Sequence, residues 1–369
     1  MTNAITPSQA AQLAEHDAAR QHAIGALANE AANDSAFADH QSAMPDNTKR
    51  RQRGDLAIFA RYLSILTFYT LDADRAADAQ HKANADRLFT DPAAWSKITY
   101  GVISGFVKWQ LQQGYAIGSI NVRLATVKRY AKLAFAAGTL DTEQAAKIAT
   151  VTGFAYGKRA TVDENRAADG VETRRGDKKA AAVELSKAQR RQLKRDHPDT
   201  PQGRRDALLM CLLLDHGLRC GELAALEVTA FAFERGRKAA FTFYRQKVNL
   251  WQTHELTRDS YDAARAYFES GDAPAIGKLL RGSLKSGDLS DQGMSERAIT
   301  KRVNVLGERI GIRGLSAHDG RHSAATEVAG KKDVTLNRMV EMFGWNSPAM
   351  ALQYIAKAQI SNEGVDFDD

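Results

Sequence analysis

Apolar positions in the first 150 residues recur mostly at helical spacing. In NTKRRQRGDLAIFARYLSIL, residues 47–66, Leu56, Phe59, Ala60, Leu63 and Leu66 follow a basic cluster at intervals of three and four, the mark of one helix face. A second helix is predicted from Asp91-Pro92, with Asp91 as the cap and Pro92 in the first turn. It carries Ile98, Val102, Phe106 and Trp109 and ends near Gly114. A third, INVRLATVKRYAKLAFAAG, is predicted with Ser119 as its cap and Gly138 as its stop. Its apolar positions include Ile120, Leu124, Val127, Ala131 and Ala134. Residues 1–40 are rich in Ala. Leu13, Ile24 and Leu27 form only a weak stripe there, which predicts a frayed or partner-dependent helix.

The pattern changes over residues 153–183, which are charged, hold glycines and have almost no large apolar residues; a linker or extended arm is expected. Beyond it, ELSKAQRRQLKRDH reads as a helix with Ser186 as cap. RRDALLMCLLLDHGLRCGELAALEV reads as a buried helix broken at His216-Gly217. KAAFTFYRQKVNLWQTHELT predicts two or three short strands. Helical periodicity returns in YDAARAYFESG, ERAITKRVNVLGERIG, DGRHSAATEVAG, VTLNRMVEMFGW and SPAMALQYIAKAQI. The predicted organisation is an Ala-rich extension (1–44), a helical domain (45–150), a basic linker (151–183) and a mainly α domain with a small antiparallel sheet (184–369).

Length and composition fit this division. The chain's 369 residues suit about two domains. No run of about 18 apolar residues and no charged-then-apolar leader pattern occurs, so the expected location is the cytoplasm, with no membrane partner. The two cysteines, Cys211 and Cys220, are nine residues apart. At about 100° per residue of helix they would point in opposite directions, which argues against a disulfide. No CxxC or HExxH spacing suggests a metal site. With 51 Lys plus Arg against 44 Asp plus Glu, the net charge is +7, which favours a polyanionic partner only weakly. The basic residues that would meet it are Lys49, Arg50, Arg51 and Arg53, then Arg123, Lys128, Arg129 and Lys132, and in the linker Arg174 and Arg175 with Lys178 and Lys179. Each is equally at home on a solvated surface.

Few residues suggest chemistry singly. Arg219 in HGLRCGE follows a buried apolar stretch, where a charge is costly unless an anion meets it; Glu222, three residues on, could pair with it. His318 and Arg321 share a face if SAHDGRHSAAT is helical. His318 and His322 have the spacing of a metal pair but lack a third ligand. A lone tyrosine such as Tyr354, on an apolar helix, is usually a packing residue.

In order and spacing these elements resemble the tyrosine recombinase (phage integrase) family. Arg219 in GLRCGELAAL is similar to that family's first arginine. His318 and Arg321 in HDGRHSAAT resemble its HxxR box, with Gly320 in place of the usual Leu. Trp345 stands where the family has His or Trp, and Tyr354 follows at its spacing to the nucleophile. Lys247 lies where the family has a lysine of a β-hairpin, with Lys238 and Lys285 as rivals. The resemblance covers about residues 45–357. It implies a helical core-binding domain and an α+β catalytic domain that clamp duplex DNA, and four protomers acting on two sites. Arg219 and Arg321 would hold the scissile phosphate, and His318 would hydrogen-bond it and assist proton movement from Tyr354. Lys247 would protonate the leaving 5′-oxygen. Trp345 would donate its indole N–H or pack against the site. Glu222 would orient Arg219, and Tyr354 would form a 3′-phosphotyrosyl bond. Neither a metal nor ATP is implied, and accessory or directionality factors stay open. A type IB topoisomerase and a non-catalytic DNA-binding protein are the alternatives.

Overall fold

The computed structural model describes residues 7–67, 74–174, 182–233, 239–331 and 333–358. Arg175, Lys178, Lys179, Lys238 and the acidic VDFDD tail lie outside them. The chain divides into two compact units, Met1–Lys178 and Lys179–Asp369.

The first unit is helical among its described residues: α1 (Pro7–Ser42), α2 (Asp46–Thr67), α3 (Asp74–Thr90), α4 (Tyr100–Gln112), α5 (Ile117–Ala136), α6 (Thr142–Thr150) and α7 (Arg159–Ala168). Its core is aromatic. Phe59 stacks on Trp95 at 5.8 Å and meets Phe106 edge-on at 4.9 Å, while Tyr130 is fully buried beside them. Several boundaries differ from expectation. Asp91 does cap, accepting from the Ala93 N–H at 2.9 Å, but what it caps is a separate 3-10 turn, Pro92–Trp95. The helix stops there because Trp95 turns into the core, its indole N–H donating to the Leu88 carbonyl at 2.9 Å. Thr99 then caps α4. Ser119 lies inside α5, which begins two residues earlier and so buries Ile117. α1 is one helix through Ser42, fastened near its end by Phe37 packing edge-on against Tyr130 at 5.6 Å.

The stretch expected to be a linker is structured over much of its length. Arg166 of α7 is buried, donating to the Tyr115 carbonyl at 2.8 Å and to Thr173 Oγ1 at 2.7 Å. The Arg174 N–H donates to the Gly114 carbonyl at 2.7 Å. Gly114 has a φ of +75°, and a Cβ there would stand 2.3 Å from the Glu172 carbonyl oxygen, so this docking requires glycine.

The second unit contains α8 (Lys187–Arg195), α9 (Pro201–Leu214), α10 (Cys220–Ala225), β1 (Phe231–Ala232), β2 (Ala240–Arg245), β3 (Leu250–Glu255), α11 (Arg258–Glu269), β4 (Arg281–Ser283), β5 (Leu289–Gly293), α12 (Glu296–Arg309), α13 (Ala317–Ala329), α14 (Leu336–Phe343) and α15 (Pro348–Ala358). α8, α11 and α13 pack around α9, whose residues 208–214 are all buried. Ser186 caps α8 in a reciprocal capping box with Gln189. β1, β2 and β3 form an antiparallel sheet, with Arg245 opposite Leu250 and Thr242 opposite Thr253. The β4–β5 hairpin lies in a segment for which sequence periodicity predicts no strands. The buried Arg205 fastens it, donating to the Arg281 carbonyl at 2.5 Å and to Ser283 Oγ at 3.1 Å. Cys211 and Cys220 are both free thiols.

Gly320 has a packing reason. On α13 it faces α9, and a Cβ there would lie 3.3 Å from Leu213 Cβ. The two helices therefore meet closely at this position, and a Cβ would require a small shift of Leu213.

Candidate functional site

The buried break between α9 and α10 starts the site. Gly217 has a φ of +62°, and a Cβ there would collide with the Phe343 ring at 2.4 Å. The turn brings Arg219 to the N-terminus of α10. Its backbone N–H donates to Glu222 Oε2 and its Nη1 to Glu222 Oε1, both at 2.8 Å. Glu222 is buried and does more than pair with Arg219. Arg245, fully buried at the end of β2, donates to both of its oxygens at 2.9 and 3.1 Å. Burial pushes the Glu222 carboxyl up. The Arg245 charge and the contacts from Arg219 pull it further down, and it ends below the usual carboxylate value.

Three arginines converge on one stretch of backbone. α14 ends at Gly344, left-handed at φ +54°, and a helix end leaves its last carbonyls without helical partners. Those carbonyls take side-chain donors in order. Gln252 donates to the Glu341 oxygen at 2.5 Å, Arg245 Nη2 to Met342 at 2.6 Å, Arg321 Nη2 to Phe343, and Arg219 Nη2 to Gly344 at 3.0 Å. The helix dipole also favours positive charge at this end. Arg321 is buried, with its Nη1 donating to the Gly217 carbonyl at 2.5 Å. Burial first, then the neighbouring Arg219 and Arg245, pull its pKa down to about 9. It still carries its charge at neutral pH, at a cost that an incoming anion would relieve.

Arg219, Glu222, Lys247, His318 and Arg321 line one cleft of about 340 Å³, with Gln246 and Glu296 at its sides. Lys247 is exposed in the turn between β2 and β3. Its rival Lys285 lies in the β4–β5 turn and is not among the cleft's lining residues. His318, in the first turn of α13, is held below the usual histidine value by burial first, then by Arg321. Trp345 packs: its ring lies between Phe343, stacked at 4.9 Å, and Tyr354, stacked at 5.5 Å and 8° from parallel. The Tyr354 phenol is pushed up by burial. Its hydroxyl is bonded to Nδ1 of His322, and His322 Nε2 lies 2.9 Å from His318 Nε2. Among the described residues no group of three or more His, Cys, Asp or Glu is placed to hold a metal ion, and no helix is long and apolar enough to cross a membrane.

Sequence reasoning missed Arg245 and His322. For Arg245 a signal exists: in AFTFYR, Phe241, Phe243 and Arg245 share the inward face, so a charge stands on an apolar side. His322 is one turn after His318, which suggests only a metal pair.

The first unit's basic residues are used unevenly. Arg51 donates to Asp55 at 2.6 Å and to Thr126 at 3.2 Å. Arg53 pairs with Asp86 at 3.3 Å and covers the Phe89 ring. Lys49 is 3.8 Å from Asp46, and Arg50 donates to Asn47 at 3.2 Å. Arg123 and Arg174 both lie over the Tyr115 ring. Lys128 donates to the Ala149 and Val151 carbonyls at 2.7 and 2.8 Å. Arg129 and Lys132 are exposed on α5.

Residues 184–360 match the model of the phage integrase family. No curated protein matches the chain by sequence. Among solved structures, the Tn1549 transposon integrase in complex with transposon right end DNA is similar at a TM-score of 0.53 and 15% identity, covering 90% of this chain and 97% of that one. The same integrase in complex with a circular intermediate DNA gives 0.52 and 13%, covering 80% and 94%. At these identities the likeness is one of fold.

Proposed function

We propose that this chain, whose residues 184–360 match the model of the phage integrase family, is a site-specific recombinase that cleaves and rejoins duplex DNA through a 3′-phosphotyrosyl bond on Tyr354. One observation carries the reading. Residues far apart in sequence, Arg219, Lys247, His318 and Arg321, line a single cleft, and Tyr354 is joined to His318 through His322. Two guanidiniums suit the non-bridging oxygens of a phosphodiester, being always charged and donating in a planar fork. DNA as the substrate is further supported by the fold shared with an integrase held on transposon DNA and by the net charge of +7.

In the proposed step, Tyr354 Oη attacks phosphorus in line with the leaving 5′-oxygen. The Oη–P bond forms, the P–O5′ bond breaks, the phenol loses its proton, and Lys247 protonates the departing oxygen. Arg219 and Arg321 stabilise the charge on the equatorial oxygens, with His318 hydrogen-bonded to the phosphate. Glu222 and Arg245 hold Arg219, and Trp345 sets the plane of the phenol. The 5′-hydroxyl of a partner strand reverses the step. One ester replaces another, so the exchange draws on no nucleotide cofactor. Four protomers on two sites complete the reaction. Arg129, Lys132 and their basic neighbours contact the DNA backbone.

The test uses nicked duplexes of randomised sequence, with covalent complexes captured after denaturation. The wild-type protein is expected to yield adducts whose DNA reveals the site. Tyr354→Phe binds the recovered duplex but forms none. An adduct persisting in that variant, or none from the wild type, removes the claim. A plasmid with two copies of the site then separates recombination from relaxation alone, which would instead assign a type IB topoisomerase.

A further inference from the structure

A tyrosine hydroxyl, with an ordinary pKa of about 10, must shed its proton as it attacks. The histidine of the HxxR box is not the residue on that hydroxyl. The Tyr354 hydroxyl is hydrogen-bonded to Nδ1 of His322, and the other ring nitrogen of His322 faces His318 Nε2 at 2.9 Å. The two imidazoles stand one turn apart on α13, at 4.3 Å between centroids and 79° between planes. The parallel Trp345 ring fixes the phenol on its face. We propose that His322 takes the Tyr354 proton during cleavage and returns it during rejoining, with His318 as the second member of the relay. This rests on Tyr354 being the nucleophile.

The proposed transfer requires one pair of tautomers. A hydroxyl that donates to Nδ1 requires that nitrogen to carry no hydrogen, so neutral His322 holds its proton on Nε2 and donates it to His318 Nε2. His318 then carries its own proton on Nδ1. As Oη bonds to phosphorus, its hydrogen passes to His322 Nδ1, and the electron pair of the O–H bond becomes a lone pair on the new ester oxygen. The P–O5′ pair leaves with the 5′-oxygen, which Lys247 protonates. His322 becomes an imidazolium whose Nε2–H still donates to His318. His318 is suited to accept, because its burial and the nearby Arg321 disfavour its own protonation. Rejoining runs the same proton backwards onto Oη.

Other charges surround this pair. The cleft that His322 and Tyr354 share is also lined by Glu184 just before α8, by Lys187 and Arg190 on α8, and by Glu327 and Lys331 from the end of α13 and just beyond. Arg190 is engaged with Ser323 Oγ at 2.7 Å and the Leu214 carbonyl at 2.8 Å. None of these replaces His322 as the group hydrogen-bonded to Oη.

The experiment measures the rate of adduct formation on a duplex recovered by covalent capture, for full-length wild type, His322→Ala, His322→Asn, Lys247→Ala and Tyr354→Phe. Asn keeps an acceptor near the place of Nδ1 but takes no proton. Both His322 variants are expected to slow cleavage by about 10²–10⁴-fold, with DNA affinity and Tm near the wild type. Added imidazole should restore part of the Ala variant's rate. A 5′-bridging sulfur, which needs no proton to leave, should rescue Lys247→Ala and leave His322→Ala slow. Wild-type rates in His322→Asn would reduce the residue to a positioning role and overturn the proposal, as would full rescue of His322→Ala by sulfur. An adduct in Tyr354→Phe would instead overturn the nucleophile on which it rests.

Discussion

Glu222→Gln is the sharpest test of how the site is held. The change keeps the shape of the side chain and removes one charge. In the wild type the carboxylate is 5% exposed and faces Arg245, which is 0% exposed, and Arg219, which is 24% exposed. With the amide in place, two guanidiniums lose the carboxylate they share, and an NH₂ group opposes one of them. Breaking a buried pair by removing one member costs about 3–5 kcal/mol. For a unit of this size each kcal/mol shifts Tm by about 2–4 °C, so thermal unfolding should come about 6–20 °C earlier. The pH dependence has a definite sign. The folded carboxyl lies below its ordinary value of 4.5, so its contribution is full above that value and is lost as pH falls through the lower folded value. The gap between wild type and variant should therefore hold from pH 8 to well below neutrality and narrow only in acid. Calorimetry across pH measures it. A double variant with Arg245→Met should show coupling of about 0.5–3 kcal/mol, since the pair is then replaced rather than broken. A Tm for Glu222→Gln within about 2 °C of the wild type at pH 7, less than 1 kcal/mol on the same scale, would refute the buried-charge account.

Gly344→Ala should both destabilise the second unit and weaken cleavage. The left-handed backbone costs an L-residue about 1–2 kcal/mol, and the added Cβ would meet Arg245 Cδ at 2.4 Å; a Tm and adduct rate equal to wild type would contradict it. In the first unit, Lys128→Ala should lower Tm because it frees two carbonyls. Arg129→Ala and Lys132→Ala should leave Tm alone and each reduce the slope of log affinity against log salt by about 1. The reverse assignment of effects would show that Lys128, and not its neighbours, meets the phosphates.

Much of the fold is legible from periodicity, because most of these helices bury one face each. Legibility fails where a single residue overrides the pattern. Trp95 turns inward and splits the expected helix at residue 91 into a 3-10 turn and α4. Arg166, a charged residue in a charged stretch, reads as solvent-facing until its three partners, Asp163, Thr173 and the Tyr115 carbonyl, are seen around it. The β4–β5 hairpin is short, with Leu289 its one buried position, so no alternation marks it. In the candidate site, the residues of the HxxR box and the Trp345 to Tyr354 spacing can be read directly. What each touches cannot.

Much of what positions those residues is backbone. The carbonyls of residues 341–344 carry no information in the sequence, since any residue supplies one. Yet Gln252, Arg245, Arg321 and Arg219 each dock on one of them. They are available because α14 stops at a left-handed glycine, and Gly344 has room for Arg245 only because it lacks a Cβ. The chain continues from these carbonyls through Trp345 into α15, which bears Tyr354. The element that holds the arginines in place is therefore the one that leads to the tyrosine. A shift of α14 would move the proposed phosphate-binding groups and the proposed nucleophile together. This accounts for how an exposed lysine turn and an exposed histidine can work beside arginines anchored on backbone carbonyls: the precision needed for in-line attack is concentrated at one helix end.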